Sequence, residues 1–239
     1  MPDRAATSYK NELLRRLGVA DLALLEPHLE AVRLPLRLSL ERPRTQIDHV
    51  YFIDEGIASV VASLSKGRDT EIGLIGFEGM TGAVVVLGDQ QSAHECYMQV
   101  AGHGLRIPAA TFSMVLSDSP TLRTLLLKYV QSLYVQCGYT ALVNARSKLE
   151  ERLARWLLMC ADRVVGGKVP ITHEFLGIML GVRRPGVTVA LQILEGRGLI
   201  QASRGQIKIR DRGGLVEIAN GIYGGPEFEY ERVLGKIHS

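Results

Sequence analysis

The residues best suited to chemistry open a predicted helix in the C-terminal half of the sequence. Arg183 and Arg184 stand side by side there, and Pro185 follows them. A guanidinium group can bind guanine O6 and N7 through two hydrogen bonds, and proline is tolerated in the first turn of a helix. Thr188, one turn further on, can contact a phosphate or a thymine methyl group. This pattern indicates a helix end that reads base pairs.

The sequence around the two arginines predicts a helix-turn-helix. Thr172 can cap a first helix, and His173, directly after it, can contact a phosphate. Gly181 supplies the tight turn, and a second helix runs from around Arg183 to near Gly196. In such a motif the first residues of the second helix enter the major groove of DNA.

Two short strands are predicted after the second helix. They flank a turn at Arg204 and Gly205, and alternation places Ile207 and Ile209 on the inner side. Arg204 and Lys208 stay outside, where they can contact phosphates. The segment is therefore predicted to be a winged helix-turn-helix, and a winged helix used for protein contact is the alternative.

Basic charge is concentrated around this motif. Residues 147–214 contain 12 basic and 6 acidic residues, a net charge of +6, whereas the whole 239-residue chain carries +3. A basic block of this kind is typical of a surface that binds nucleic acid, and a solvated charged face is the alternative. We therefore expect double-stranded DNA as a partner.

Composition and motifs exclude several other classes of protein. With 46% hydrophobic and 22% charged residues, the chain has an ordinary globular balance. No apolar run reaches about 18 residues, so we expect no membrane span. Neither a P-loop nor a nucleophile-elbow motif is present, and we do not expect an enzyme.

The three cysteines offer little chemistry of their own. Cys96, Cys137 and Cys160 are too few and too far apart for a disulfide framework or a zinc knuckle. We expect a reducing, cytoplasmic location, with no cofactor and no metal. Two alternatives stay open, namely a ligand role for His94 with Cys96 and a disulfide between two copies of Cys137.

The order of predicted elements places a β region before a helical region. Short β runs broken by turn residues fill residues 33–112 and favour a β-sandwich, barrel or roll. Ser119 and Pro120 begin a helix that reaches Asn144, about 37 Å further along. This length exceeds what one small domain needs, so we favour a dimerisation helix over a core helix of a single subunit. Its predicted seam consists of Leu122, Leu126, Tyr129, Val130, Leu133, Cys137 and Thr140.

Two further expectations concern the segments after this helix. Ser147 and Glu150 have the spacing of a capping box that opens the next helix. The sequence after residue 220 predicts a loosely attached tail.

The whole arrangement resembles the Crp/Fnr family of bacterial transcription regulators over residues 11–211. The resemblance is strongest in the segment ITHEFLGIMLGVRR…LQILEGRGLI, and in the β region it rests on Gly56, the run 76–82 and the run 91–93. It implies an α+β fold with an N-terminal β-roll of the cyclic-nucleotide-binding type, a long dimerisation helix and a C-terminal winged helix-turn-helix. The corresponding divisions would be residues 1–118, 119–146 and 147–220, followed by a tail at 221–239.

The resemblance also implies an effector pocket, and this chain departs from the family there. Members that bind cyclic AMP hold the ribose with a glutamate and the phosphate with an arginine; these positions are Met80 and Gln91 here, and only Ser92 is retained. Because an anionic phosphate needs a cation or several N–H donors, we expect no cyclic AMP binding of the usual kind. A phosphate site made of backbone alone is the alternative. The pocket residues implied are Gly76, Glu78, Gly79, Met80, Thr81, Gly82, Gln91, Ser92 and Cys137.

For function, the resemblance implies a homodimer that binds a palindromic operator, with RNA polymerase and an unknown small-molecule effector as further partners. Arg184 falls at the family's first base-contacting arginine, whereas Pro185 and Val189 replace the next base-contacting residues. We therefore expect an operator unlike that of the best-known members. The alternative is a ligand-sensing or protein-interaction module whose winged helix does not bind DNA.

Overall fold

The computed structural model describes residues 9–64, 69–164, 166 and 168–237, apart from the side chains of His173 and Glu174. The chain divides into two compact units. The first unit consists of Met1–Val60, Ile75–Tyr134 and Tyr230–Ser239, and the second unit of Val61–Leu74 and Val135–Glu229. Among the described residues, no helix combines the length and the apolar composition that crossing a lipid bilayer requires.

Among the described residues as far as 146, four short α-helices and five strands precede a long helix. The elements are α1 (Glu12–Arg15), α2 (Val19–Leu25), β1 (Glu30–Leu34), β2 (Ser39–Glu41), β3 (His49–Ser63), β4 (Asp69–Ile75), α3 (Ala83–Val86), β5 (Glu95–Pro108), α4 (Ala109–Asp118) and α5 (Pro120–Arg146). In the described part of the chain these strands form one sheet in the order β1-β5-β3-β4, and β2 pairs with β5.

The two longest strands are continuous where the sequence predicts breaks. β3 runs through Gly56, which has a φ of +96°, and β5 runs through Gly102 and Gly104. A Cβ at Gly102 would collide with the carbonyl group of Glu55, and one at Gly104 would collide with that of Phe52. Glycine thus marks close backbone approach inside a strand here, rather than the end of a strand.

Two apolar clusters stabilise the first unit. In the larger one, the rings of Phe52 and Phe112 meet edge to face with centroids 6.0 Å apart. This cluster includes Leu13 and Leu14 from α1 and Leu22 from α2. The smaller cluster is formed by Leu34, Leu40, Ile53, Ala58, Ile75, Cys96 and Met98.

The second unit contains the C-terminal helices and a small sheet. Its elements beyond α5 are α6 (Leu149–Ala161), β6 (Lys168–Val169), α7 (His173–Leu180), α8 (Arg184–Gly196), β7 (Ile200–Ser203), β8 (Gln206–Ile209) and α9 (Arg212–Ile218). The strands lie in the order β6-β8-β7. The cap of α6 lies one residue later than the sequence predicts, because the Lys148 N–H donates to the Glu151 carboxylate at 2.9 Å.

The predicted seam of the long helix is wrong for three of its residues. Leu122, Leu126 and Tyr129 are buried in the larger cluster of the same chain, so no partner helix can reach them. Val130 packs against that cluster and Leu133 against the smaller one. Periodicity identifies an apolar stripe on a helix, but it cannot tell a stripe that faces the helix's own core from one that faces a partner.

A different row of α5 is exposed, and we call it the α5 outer row. Apart from Leu142, which lies beside Ala141, its spacing alternates between four and three residues, as in a coiled-coil seam. It lies roughly a third of a turn around the helix from the predicted seam, at 100° per residue. The row consists of Leu127, Gln131, Tyr134, Gly138, Ala141, Leu142 and Ala145.

The expectation of a loosely attached tail is also wrong. The tail forms a helix, α10 (Gly225–Leu234), and its Tyr230 belongs to the larger cluster of the first unit. The Tyr230 hydroxyl donates to the carbonyl of Glu78 at 2.8 Å, and the Arg16 guanidinium donates to the carbonyl of Leu234 at 2.6 Å. The alternating glutamates and aromatic residues of the tail form no clear apolar stripe with helical spacing, so the sequence did not predict this helix. In the structure, the buried Tyr230 anchors it.

This anchoring predicts a specific loss of stability. Tyr230→Ala should lower the free energy of unfolding by about 3 kcal/mol, because it empties a buried aromatic site. Phe228→Ala, two residues earlier in α10 and 69% exposed in the native protein, is the matched control and should change it by less than about 0.5 kcal/mol. Urea denaturation followed by far-UV circular dichroism measures both. Equal losses in the two variants would contradict the packing described.

Candidate nucleic-acid interface and effector site

The turn between α7 and α8 is held by local backbone interactions. The Thr172 hydroxyl accepts the Phe175 N–H at 3.3 Å and so caps α7. Gly181 ends α7 in the left-handed region at φ +60°, a conformation that glycine adopts without strain. The Val182 N–H then donates to the carbonyl of Gly177 at 2.9 Å. These contacts place the start of α8 directly after the turn, as the sequence predicts.

One face of α8 packs inward and the opposite face is open. Val187, Ala190, Leu191 and Leu194 are buried. Arg183, at the N-cap, and Arg184 and Pro185, in the first turn, are exposed. The Thr188 hydroxyl donates to the carbonyl of Arg184 at 3.2 Å, so it is partly engaged within its own helix. The side chain of His173 lies outside the described part of the chain.

Val189 extends this open face, and it was not among the predicted contact residues. Its side chain is apolar, yet it is 55% exposed. An exposed apolar side chain on such a helix can contact a thymine methyl group. The sequence signal was the replacement of a polar base-contacting residue of the family by valine.

The wing is a three-stranded sheet with basic residues on its outer side. Gly205, at φ +77°, forms the turn between β7 and β8, and Ile207 is buried beneath it. Arg204 and Lys208 are exposed, as predicted. Lys168 pairs directly with Lys208 across β6 and β8, and paired residues of adjacent strands lie on one face. Lys168 therefore adds a positive charge that the sequence did not reveal, because the pairing of β6 is non-local.

The glycine-rich loop at 76–82 is held closely by its own chain. Met80 is fully buried, and its carbonyl accepts the Tyr129 hydroxyl at 2.8 Å. Thr81 is fully buried too, and its hydroxyl accepts the N–H of Tyr51 at 3.1 Å. A Cβ at Gly79 would fall 2.8 Å from the ring of Tyr129. These residues of the predicted pocket serve the core and the backbone of the first unit.

The polar donors of the predicted effector site are occupied by a carboxylate that the sequence did not single out. Glu41 accepts the Gly82 N–H at 2.7 Å and a hydrogen bond from the Ser92 side chain. Desolvation raises the pKa of Glu41, and the bonds from Gly82 and Ser92 together with the nearby His94 counteract only part of that effect. The Glu41 carboxylate thus binds two hydrogen-bond donors of the pocket that the resemblance assigns to an effector, the Gly82 N–H and the Ser92 hydroxyl.

The remaining residues of the predicted pocket have separate surroundings. Gln91 is exposed, and Glu78 is buried with its carboxylate accepting the Gly76 N–H at 3.2 Å. Cys137 belongs to the second unit, whereas the others belong to the first. The inclusion of Cys137 in an effector pocket stays a prediction.

The cysteines are not activated. Burial raises the pKa of the Cys137 thiol to about 11 and that of Cys96 and Cys160 well above the ordinary value. The thiolate is the reactive form of cysteine, so these thiols are poor nucleophiles. Among the described residues, no group of three His, Cys, Asp or Glu side chains is placed to hold a metal ion.

Comparison with known proteins agrees with this geometry. Residues 151–218 match the family model of the Crp-like helix-turn-helix domain. No curated protein sequence matches the chain.

Solved structures extend the likeness beyond that domain. A Crp/Fnr-family transcriptional regulator from Eubacterium rectale superposes with a TM-score of 0.69 at 18% identity, covering 87% of this chain and 98% of that one. FixK2 from Bradyrhizobium japonicum gives a TM-score of 0.69 at 16% identity, with 80% and 96% covered. The c-di-GMP-responsive regulator CLP of Xanthomonas campestris gives 0.63 at 15% identity, with 80% and 99% covered. The resemblance found in the sequence is therefore confirmed: this chain has the fold of the Crp/Fnr transcription regulators and carries a Crp-like helix-turn-helix domain.

Proposed function

We propose that this protein is a sequence-specific transcription regulator that binds a palindromic DNA operator as a homodimer. The observation that carries the proposal is the pair of exposed arginines, Arg183 and Arg184, at the start of a helix whose opposite face is buried. A helix in this position of a helix-turn-helix presents its first turn to the major groove. The net charge of +6 over residues 147–214 supplies the attraction to phosphates.

Base reading and backbone contact are assigned to different residues. Arg183 and Arg184 would bind guanine edges, and Val189 would contact a thymine methyl group. Pro185, directly after the two arginines, fixes the backbone in the first turn of α8. Contact with the phosphates, which sets the register but carries no sequence information, is assigned to Thr172, His173, Thr188, Arg204, Lys208 and Lys168.

The dimer would form along the α5 outer row. Tyr134 is 77% exposed and Leu142 is 56% exposed, a poor arrangement for two large side chains unless a second molecule covers them. Between them lie Gly138 and Ala141, which are small enough to let two helices approach closely. A two-fold axis along this row makes the same residues meet their own copies, and it would set the two reading helices about one DNA turn, roughly 34 Å, apart.

We further propose that cyclic AMP is not the effector in the usual way. A cyclic phosphate would have to displace the Glu41 carboxylate from Gly82 and Ser92, and the position of the family's phosphate-binding arginine is Gln91 here. RNA polymerase would be the further partner of a transcription regulator of this kind.

The proposal is tested by selecting bound fragments from random double-stranded DNA with the purified protein and no added ligand. A palindromic consensus with half-sites one helical turn apart would support a dimeric regulator that is active without a nucleotide. If the protein enriches no sequence, either alone or in the presence of cellular small molecules, the winged helix serves protein contact instead.

Two substitutions should separate base reading from phosphate contact. Arg184→Ala should weaken binding to the selected site by about 1–3 kcal/mol and relax the base preference. Lys208→Ala should weaken all sequences alike and reduce the slope of log affinity against log salt by about 1. Fluorescence anisotropy with specific and scrambled duplexes at several salt concentrations measures both effects. A base-specific loss from Lys208→Ala would remove its assigned role.

Dimerisation along the α5 outer row predicts a change in oligomeric state. Leu142→Glu places a charge on the row and should shift the protein from dimer to monomer, because burying an unpaired charge is costly. Lys128→Glu, exposed about a quarter of a turn away on the same helix, is the control and should remain dimeric. Sedimentation velocity distinguishes the two masses. A dimer that survives Leu142→Glu would place the interface elsewhere.

The buried carboxylate predicts a pH dependence of stability. Since the folded-state pKa of Glu41 is raised, its contribution is most favourable below about pH 4.5 and is lost as pH rises through the folded pKa. Glu41→Gln cannot ionise, so its free energy of unfolding relative to the native protein should increase between pH 4.5 and pH 7. Urea titrations at both pH values measure this difference. A difference that stays constant with pH would mean that Glu41 is not desolvated.

A further inference from the structure

A cavity within the second unit is lined by two arginines. Its volume is about 20 Å³, and its walls are formed by β4, the C-terminal half of α5, α6 and the end of α7. Arg155 is only 5% exposed and Arg152 is half-buried. None of the residues that line it belongs to α8 or to the glycine-rich run 76–82.

The two guanidinium groups have few partners of their own. The ion pairs found among the described residues include neither arginine. Both terminal nitrogens of Arg155 reach the Thr140 hydroxyl only at 3.5 Å, the outer limit of a hydrogen bond. Arg152 donates from Nη2 to the carbonyl of Leu180, and its Nε–H is buried without a hydrogen-bond acceptor among the described residues.

The charged groups that line the cavity leave an excess of positive charge. They are Arg152, Arg155 and Glu71, with a net charge of +1. Part of the Glu71 carboxylate is already engaged, because its Oε1 accepts the indole N–H of Trp156 at 2.7 Å. Desolvation lowers the pKa of both arginines, and for Arg155 the nearby Glu227 and Glu71 offset that effect only in part.

A buried charge is costly unless a counter-charge and hydrogen bonds compensate it. We propose that this cavity binds a small oxyanion, a carboxylate or a phosphate group, through Arg152 and Arg155. The planar fork of a guanidinium group matches both kinds of anion. The cavity volume of about 20 Å³ exceeds the roughly 10–15 Å³ that one ordered water needs, so the ligand must be small, and a nucleotide is far too large.

Occupation of the cavity would connect three elements of the second unit. Arg155 and Arg152 belong to α6, Thr140 to α5, and Leu180 is the last residue of α7, next to the turn at Gly181. An anion bound there would stabilise the position of α7 against α6. Any effect on DNA affinity rests on the proposed function, whereas the binding step does not.

The chain contains its own probe of this site. Trp156 is the only tryptophan in the sequence, and it lines the cavity. The full-length protein should be titrated with sodium phosphate and, separately, with sodium acetate, at an ionic strength held constant with sodium chloride. We expect a saturable change in tryptophan emission with one or both anions, and the anion that saturates identifies the chemical class of the ligand.

Substitutions test whether the arginines carry the binding. Arg155→Met keeps the apolar stem and removes the charge, so the apparent dissociation constant should rise by at least about tenfold. Arg146→Met, at the exposed end of α5, is the matched control and should leave it unchanged. Circular dichroism establishes that both variants are folded.

A second variant should act in the opposite direction. Glu71→Gln keeps an oxygen that can accept the indole N–H and removes the competing negative charge, so the anion should bind several-fold more tightly. This outcome does not depend on whether Arg155→Met folds. The proposal is overturned if neither anion gives a saturable change, if Arg155→Met titrates like the native protein, or if Glu71→Gln weakens binding. None of these readouts involves DNA, so their failure would leave the proposed function intact.

Discussion

The burial of Leu122, Leu126 and Tyr129 in the chain's own core fixes the rotation of α5 about its axis, and much else depends on that rotation. A helix of 27 residues is long enough to take part in both compact units. Once one side of its first half is packed, the α5 outer row must face away from the core. In the second unit, Gln136 of the same helix is buried, and its side chain accepts the Leu74 N–H at 2.6 Å and donates to the Leu74 carbonyl at 3.2 Å. These two bonds join α5 to β4 inside the second unit.

The two units differ in whether the groups that can bind an anion are already paired with a carboxylate of the chain. In the first unit, backbone and hydroxyl donors are satisfied by the carboxylate of Glu41, and no external anion is needed to complete them. In the second unit, two guanidinium groups line a cavity that contains a single carboxylate. Glu41 therefore helps to hold the β region together, whereas the cavity of the second unit is where we propose that a small anion binds.

Local signals made the helix-turn-helix predictable. The Thr172 cap, the Gly181 turn and the start of α8 depend on residues within a few positions of one another, and the structure has them where the sequence placed them. Glu41 and Gly82 are 41 residues apart, and no periodicity links them. Lys168 joins the basic face of the wing only through strand pairing. The stripe of α5 that faces its own core was likewise undecidable, since both stripes are apolar and only the fold determines which one is covered.

The contact of Arg16 with the carbonyls of Leu234 and Lys236 has a consequence for synthesis. The first unit contains α1 near the start of the sequence and Tyr230 near its end, and the guanidinium of Arg16 binds backbone carbonyls of the last described residues. The longer segment of the second unit, Val135–Glu229, directly precedes Tyr230 in the sequence. Proteins emerge from the ribosome from the N-terminus onward, and domains generally fold as units. The second unit can therefore begin to fold before Tyr230 has been made, whereas the first can complete its larger cluster only once Tyr230 has left the ribosome.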